Sequence, residues 1–317
     1  ASSVNIGWMR LGTTSGSADG QFNSPTSVAL DSSGNIFVVD SGNNRVQKFN
    51  SAGTYISKFG STGTANGKFS GPNGMTIDSF NNIYIVDTGN TRVQKFSSSG
   101  TYILQFSSGM TAPYGVAVDS LGNIFVADFS NSILKYNSYG TYVSKFGYAV
   151  GTINGKNNGP IDVATDSLDN LYVVDSGNNR IQKYNSSGIF LSNIGSTGAG
   201  NGQFNTPYGI AIDSSNNIYV VDQANCRIQK ITNAPQITPY TLTGGKPSAG
   251  SASTFIGMGT FDYASGTKVV LGNQLGMKTY TVSSNVLTAD TVLPSWNTDS
   301  GVVAFTYITG SPGNFYS

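Results

Sequence analysis

The chain has 317 residues, enough for one large domain or a domain with an appendage, yet only 10% of them are charged where about 25% is ordinary. It contains no His, no Glu and a single Cys, Cys226, which excludes Ser-His-Asp and Cys-His nucleophiles, imidazole zinc sites and thiolate cages, and leaves acid or base chemistry to Asp, Lys or Tyr. A net charge of +1 provides no field for a phosphate backbone, and no run approaches the roughly 20 apolar residues of a membrane helix.

The first residues, Ala1-Ser2-Ser3, have the form of a processed secretion product, and an extracellular or cell-surface location is expected. The segment Ile6-Gly7-Trp8-Met9-Arg10-Leu11-Gly12, followed by Gly20-Gln21-Phe22-Asn23-Ser24-Pro25, matches the end of a unit that recurs through the chain, as at Ile194-Gly195 and Gly202 to Pro207. Each unit contains a short strand closing on Asp: Asp31, Asp78, Asp119, Asp166 and Asp213, spaced by 47, 41, 47 and 47 residues. Nine residues later a β-branched run, such as Ile36-Phe37-Val38-Val39, closes on a second Asp: Asp40, Asp87, Asp128, Asp175 or Asp222. A Ser-Gly-Asn-Asn type of turn leads into a third strand, Arg45-Val46-Gln47-Lys48-Phe49, and another turn into a fourth, Tyr55 to Gly60. Asn and Gly tolerate positive φ, which suits these tight turns.

Four short antiparallel strands per unit describe a propeller blade. Five copies of the first three strands but only four following fourth strands predict a five-bladed ring, closed by the N-terminal strand pairing with the strand around Ile228–Ile231. The pattern Gly-x-Phe-x-x-Pro, Gly-Asn-Ile-Tyr/Phe-Val-Val-Asp and Asn-x-Arg-Ile/Val-Gln-Lys-Phe resembles the NHL repeat over residues 1–233. The resemblance implies a β-propeller and no single activity, since members of that family include lyases, hydrolases and RNA- or protein-binding modules.

The repeated aspartates read as scaffold. The first series is placed to accept turn amides. The second stands five residues before an Arg, giving the expected pairs Asp40/Arg45, Asp87/Arg92, Asp175/Arg180 and Asp222/Arg227. Repeat three departs twice: its connector to Pro113 is shorter, and Asp128 has no Arg to follow it. The Gly-rich connector Gly63 to Phe69 has the wrong spacing for a phosphate loop, no calcium loop is present, and the metal-bearing relatives rely on His or Glu that this chain lacks. No cofactor and no metal are expected, and the chain is read as not an enzyme.

The residue after each connector proline enters the innermost strand, so Thr26, Asn73, Tyr114, Ile161 and Tyr208 should line one rim of the channel. Asn73, Tyr114, Asp162 and Tyr208 are the candidate ligand contacts, with the tyrosines suited to stacking on a sugar. Asn185-Ser186-Ser187 is a glycosylation sequon on a predicted turn. Residues 234–239 read as a Pro-containing linker. Residues 240–317, with strand-like runs at Lys268–Leu271, Lys278–Val282 and Val302–Ile308, read as a small antiparallel β domain resembling a sandwich. A low-charge β appendage on a rigid disc suits a structural or adhesive subunit that associates with itself through that domain into an extracellular fibre or microbial surface layer. The alternative is a carbohydrate- or protein-binding module working at the channel rim.

Overall fold

The computed structural model describes residues 9–12, 14–148 and 151–232, together with strand segments between 242 and 305. The chain divides into two units, Ala1–Thr232 and Asn233–Ser317.

The first unit is an all-β propeller of five blades. Blade one runs Pro25–Leu30, Ile36–Asp40, Arg45–Phe49 and Tyr55–Phe59, each strand antiparallel to the next. Blades two, three and four repeat this order over 72–106, 113–146 and 160–194. Blade five has three described strands, Pro207–Ile212, Ile218–Asp222 and Arg227–Ile231.

The burial of each strand follows from its place in the blade. The second strands of blades one to four, such as Ile83–Asp87 and Leu171–Asp175, are buried at every residue. A sheet covers each of their faces, which is why they read as continuous apolar runs. Outer strands such as Tyr55–Phe59 and Tyr102–Phe106 alternate between exposed and covered positions, as a half-solvated strand should.

Neighbouring blades interlock through their apolar faces. Phe37, Val39 and Val46 of blade one pack with Met75, Ile83, Ile85 and Phe96 of blade two. The same positions join blades two and three, three and four, and four and five. Aromatic rings bridge the outer parts of these seams, with Phe59 and Phe96 at 4.9 Å and Phe106 and Tyr136 at 4.6 Å between centroids. The rings that end the outer strands of blades one to three lie against a turn glycine of the next blade, as with Phe59 on Gly100 and Phe106 on Gly140. Both glycines have positive φ, and a Cβ on either would collide with the ring. In blade one the corresponding Gly53 meets Met9 and Leu11, and Leu11 packs with Ile36, Val38 and Phe49. Met9 to Leu11 thus take the place that outer-strand ends take elsewhere. The expected pairing of the N-terminal strand with Ile228–Ile231 lies outside the described residues.

In the second unit, Lys268–Asn273, Gly276–Ser283 and Val286–Leu293 form an antiparallel meander. Leu242–Thr243 pairs in parallel with the last of these, and Ala304–Phe305 pairs antiparallel with the first. The rest of the predicted strand Val302–Ile308, the predicted linker 234–239 and any sandwich topology lie outside the described residues.

Candidate functional site

Three groups of residues carry the chemistry of the propeller: the turn aspartates, the central channel, and the seam between blades five and one. The turn aspartates hold the fold. In the first series, Asp31 Oδ1 accepts the N–H groups of Ser33 and Asn35 at 3.0 and 2.9 Å, and its Oδ2 accepts the Asn35 amide. Asp78, Asp119, Asp166 and Asp213 repeat the arrangement. Each therefore closes an Asx-type turn between the first two strands.

The second series forms buried ion pairs at 2.7 Å: Arg45 Nε with Asp40, Arg92 with Asp87, Arg180 with Asp175, and Arg227 with Asp222. Each carboxylate receives more than its Arg. Asp40 Oδ2 also accepts Asn43 Nδ2 and Gln47 Nε2, while its Oδ1 accepts Asn23 N–H. The rest of the Arg45 guanidinium donates to the carbonyls of Ser17, Ala18 and Gln21 in the connector. The staple ties the turn inside a blade to the connector that enters it. The Asn and Gln members recur with the Arg at fixed spacing, and that spacing is the signal by which the sequence alone identifies them.

Blade three satisfies Asp128 differently. Its carboxylate accepts the backbone N–H groups of Thr111 at 2.6 Å and Ala112 at 3.2 Å, and both the N–H and the hydroxyl of Ser130. The Thr111 amide holds the place of the Asn23, Ser70, Asn158 and Asn205 amides in the other blades, and the Ala112 amide with Ser130 is what this blade adds in the absence of an Arg.

The central cavity is lined by Thr26, Asn73, Tyr114, Ile161, Asp162 and Tyr208 with the small residues Ser27, Gly74, Gly115 and Gly209. Its volume is about 60 Å³, against roughly 300–1,000 Å³ for a ligand pocket. The strands approach so closely that a Cβ on Gly74 would collide with the Tyr114 carbonyl, and one on Gly115 with Asp162. Tyr114 packs against Phe129 at 5.7 Å between ring centroids. Asp162 stands where the other blades have Gly or Ser. Its Oδ1 accepts Val163 N–H at 2.9 Å and its Oδ2 accepts Ile210 N–H at 3.0 Å, which ties blade four to blade five. Burial raises its pKa to about 7 against the lowering effect of those two donors. Among the described residues no Lys or Arg pairs with it.

Asn185 lies in the turn before the outer strand of blade four, where its side-chain carbonyl accepts Ser187 and Ile189 N–H. Cys226 is a free, exposed thiol at φ +52 in the turn of blade five. No group of three or more His, Cys, Asp or Glu among the described residues could hold a metal ion. No helix is long and apolar enough to cross a membrane among those residues.

The fifth seam differs from the other four. Ile228 is 69% exposed and Val221 40%, whereas Ile181 and Val174, their counterparts in blade four, are fully buried. Across the gap Val28 is 64% exposed and Leu30 62%, while Met75, Val116 and Val163 are buried. Between the two faces lies a cavity of about 480 Å³ lined by Val28, Val38, Ile210, Val221, Ile228 and Asp162 among others. The repeat pattern marks these residues as apolar and says nothing of whether a partner reaches them, so sequence reasoning passed over the seam.

Repeated four-stranded sheets, arranged blade to blade around a narrow channel, define a β-propeller. The NHL repeat model matches residues 22–49, 69–96, 157–184 and 204–231, and this part of the chain is an NHL-repeat β-propeller. The unmatched repeat is the third, whose staple lacks its Arg.

Among solved structures, a catalytically inactive His-to-Ala variant of virginiamycin B lyase from Staphylococcus aureus, with quinupristin, is 15% identical with a TM-score of 0.53. The match covers 67% of each chain. A streptogramin B lyase is 15% identical at a TM-score of 0.51, covering 86% of this chain and 84% of the other. A protein of unknown function from Bacteroides thetaiotaomicron is 20% identical at 0.50, covering 65% and 54%. A search of curated proteins found no match. At these identities the likeness shows the fold. The neighbours correct one expectation drawn from composition: propellers of this fold include lyases, so the reading of the chain as not an enzyme does not stand.

Proposed function

We propose that this NHL propeller is a protein-interaction scaffold that associates with copies of itself, as a subunit of an extracellular fibre or microbial surface layer. The observation that carries the reading is the fifth seam. Val28, Val221 and Ile228 lie exposed at positions whose counterparts in the other seams are largely buried, and Leu30 beside them is exposed as well. Exposed apolar sheet faces attract further β structure. A contact between two different surfaces of the same molecule extends into open filaments when its rotation does not close. NHL propellers typically mediate protein interaction, which supports the same reading. Sugar on Asn185 belongs to the proposal and rests on the sequon Asn185-Ser186-Ser187.

The test is association of the full chain, followed by sedimentation and by electron microscopy of concentrated protein. The intact chain is expected to form oligomers or filaments, and Ile228→Asp to disperse them. Wild-type particles that stay monomeric at high concentration would refute the assembly reading. An intact mass equal to the 33.2 kDa of the bare chain would refute modification.

A further inference from the structure

We propose that Asn66, Asn154 and Asn201, in the connectors between blades, are sites of spontaneous deamidation, each held latent by the third-strand glutamine of the blade its connector enters. The chain has five Asn-Gly pairs, and three of them share one position in the connector. Each of the three sits at the centre of a β-turn, closed by Lys68 N–H on the Ala65 carbonyl, Lys156 on Ile153, or Gln203 on Gly200. Gly67, Gly155 and Gly202 have φ +77, +77 and +72, and the three asparagines are exposed. With no Cβ on the glycine, its nitrogen is free to approach the preceding side chain. Once deprotonated, that nitrogen attacks Asn Cγ: the new C–N bond closes a succinimide, the Cγ–Nδ2 bond breaks, and ammonia leaves carrying the proton. Water then opens the ring to Asp or to an isoaspartyl linkage.

The attacking nitrogen is the atom that the glutamine holds. Gly67 N–H donates to Gln94 Oε1 at 2.8 Å, Gly155 to Gln182 at 2.9 Å and Gly202 to Gln229 at 3.0 Å. Gln94 Nε2 donates to the Lys68 carbonyl and to Asp87, which fixes the amide with its oxygen toward Gly67. An acceptor bonded to an N–H favours the protonated form and opposes the anion that must attack. A fourth connector carries Asp19-Gly20 at this position, with Gly20 N–H on Gln47 Oε1, and Lys58 holds the Asp19 carboxylate as an ion pair, a poor electrophile. Blade three departs in both respects: its connector, Ser107 to Ala112, contains no Asn or Asp, and Leu134 stands where the other blades have Gln. The reactive pair and the glutamine are thus present together or absent together. The other two Asn-Gly pairs are held differently, with Gly159 N–H on Asn131 Oδ1 and Asn73-Gly74 inside the inner strand Pro72–Ile77. Each event turns a neutral amide into a carboxylate, so the first takes the formal net charge from +1 to 0, where repulsion between molecules is least.

The full chain, folded and unfolded in urea, is aged at mildly alkaline pH, and the three sites are followed by peptide mapping with mass spectrometry. Each should deamidate about tenfold more slowly in the folded chain, the worth of a hydrogen bond that must break first. Equal rates in the two states would overturn the proposal. Gln94→Leu, a side chain that blade three already houses as the buried Leu134, should speed Asn66 about tenfold and leave Asn154 and Asn201 at their wild-type rates. An unchanged Asn66 would overturn the proposal, and so would acceleration at all three sites, which reports general loosening. Asn90→Ala separates the glutamine's bond from connector mobility: it removes the bond to the Gly63 carbonyl of the same connector and should leave Asn66 at its wild-type rate. Equal acceleration by Asn90→Ala and Gln94→Leu would assign the protection to connector rigidity and overturn the role of the glutamine. If Gln94→Leu fails to fold, Gln182→Leu read at Asn154 carries the same test with the same outcomes.

Discussion

The seam between blades four and five and the seam between blades five and one are built from the same kind of residues and end in opposite states. Ile181 is fully buried within a cluster that takes in Phe204, Ile218 and Val220 of the next blade. Ile228, the same side chain one repeat later, is 69% exposed. Burying an isoleucine fully is worth about 1.5–3 kcal/mol, so the difference arises from what the chain brings opposite each residue and not from the residue. A propeller repeat encodes two half-interfaces. Periodicity in the sequence reveals the halves, and only the fold shows which of them meet.

The widest separation between the two seams should appear in the buried ion pairs. Arg180 is 9% exposed in its side chain and Arg227 28%, while Asp175 and Asp222 are both fully buried. Arg180→Ala leaves a carboxylate without its cation in a sealed setting and should cost about 3–5 kcal/mol in urea unfolding. Arg227→Ala should cost clearly less because water reaches the site. Equal losses would mean that blade five is as well covered as blade four, and the contrast would collapse.

The isoleucines test the contrast directly. Ile181→Ala should lower stability by about 2–5 kcal/mol, as deletion from a packed core does. Ile228→Ala, measured in dilute monomers, should stay within about 0.5 kcal/mol of wild type, as surface substitutions do. A large loss at Ile228 would show that something in the same molecule covers it.

Asp162 sits between blades four and five and faces the open seam, so its titration sharpens the comparison. Its pKa is raised from 3.8 in the unfolded chain to about 7, and the folded state therefore holds the proton more tightly. Stability should fall as pH rises from about 4 to 7, by at most about 1.4 kcal/mol per pH unit, and level off above that. Asp19, held low by Lys58, and Asp213, held low by Asn217, act with the opposite sign. Their contribution is present above 3.8 and lost as pH falls through their lowered values. Melting temperatures between pH 4.5 and 8 should slope downward for the wild type and lie flatter for Asp162→Asn. An unchanged slope would show that Asp162 is not the group responsible.

The blades, the strand order and the Asp–Arg pairs are legible because each rests on a local rule that repeats: an apolar run between turns, and an acid five residues before an Arg. The channel-lining positions Asn73, Tyr114 and Tyr208 are legible for the same reason, since the connector proline fixes where the inner strand begins. The tightness of the channel was not, because it depends on Gly74 and Gly115 meeting strands of the next blade. The bonds from Ala112 and Ser130 to Asp128 were hidden as well: a missing Arg gives no sign of which groups take its place. Val28 and Ile228 occupy apolar positions of the repeat and lie exposed in the fold.

The smallest expected effect concerns the turn residue that reaches toward the next blade. Asn44 Oδ1 accepts Gly71 N–H at 2.7 Å and Asn179 Oδ1 accepts Thr206 N–H at 2.7 Å, so each ties its turn to the connector entering the following blade. Both residues have φ +52, a left-handed conformation that Asn tolerates better than most side chains. In blade five the position is Cys226, at the same φ, exposed and with no such tie among the described residues. Asn179→Ala removes a hydrogen bond and the tolerance of that backbone together and should cost about 1–2 kcal/mol. Cys226→Ala removes neither and should be silent in the unfolding of dilute protein. A matching loss at Cys226 would mean that blade five is tied to a following element after all, and that the fifth seam is sealed from the turn side.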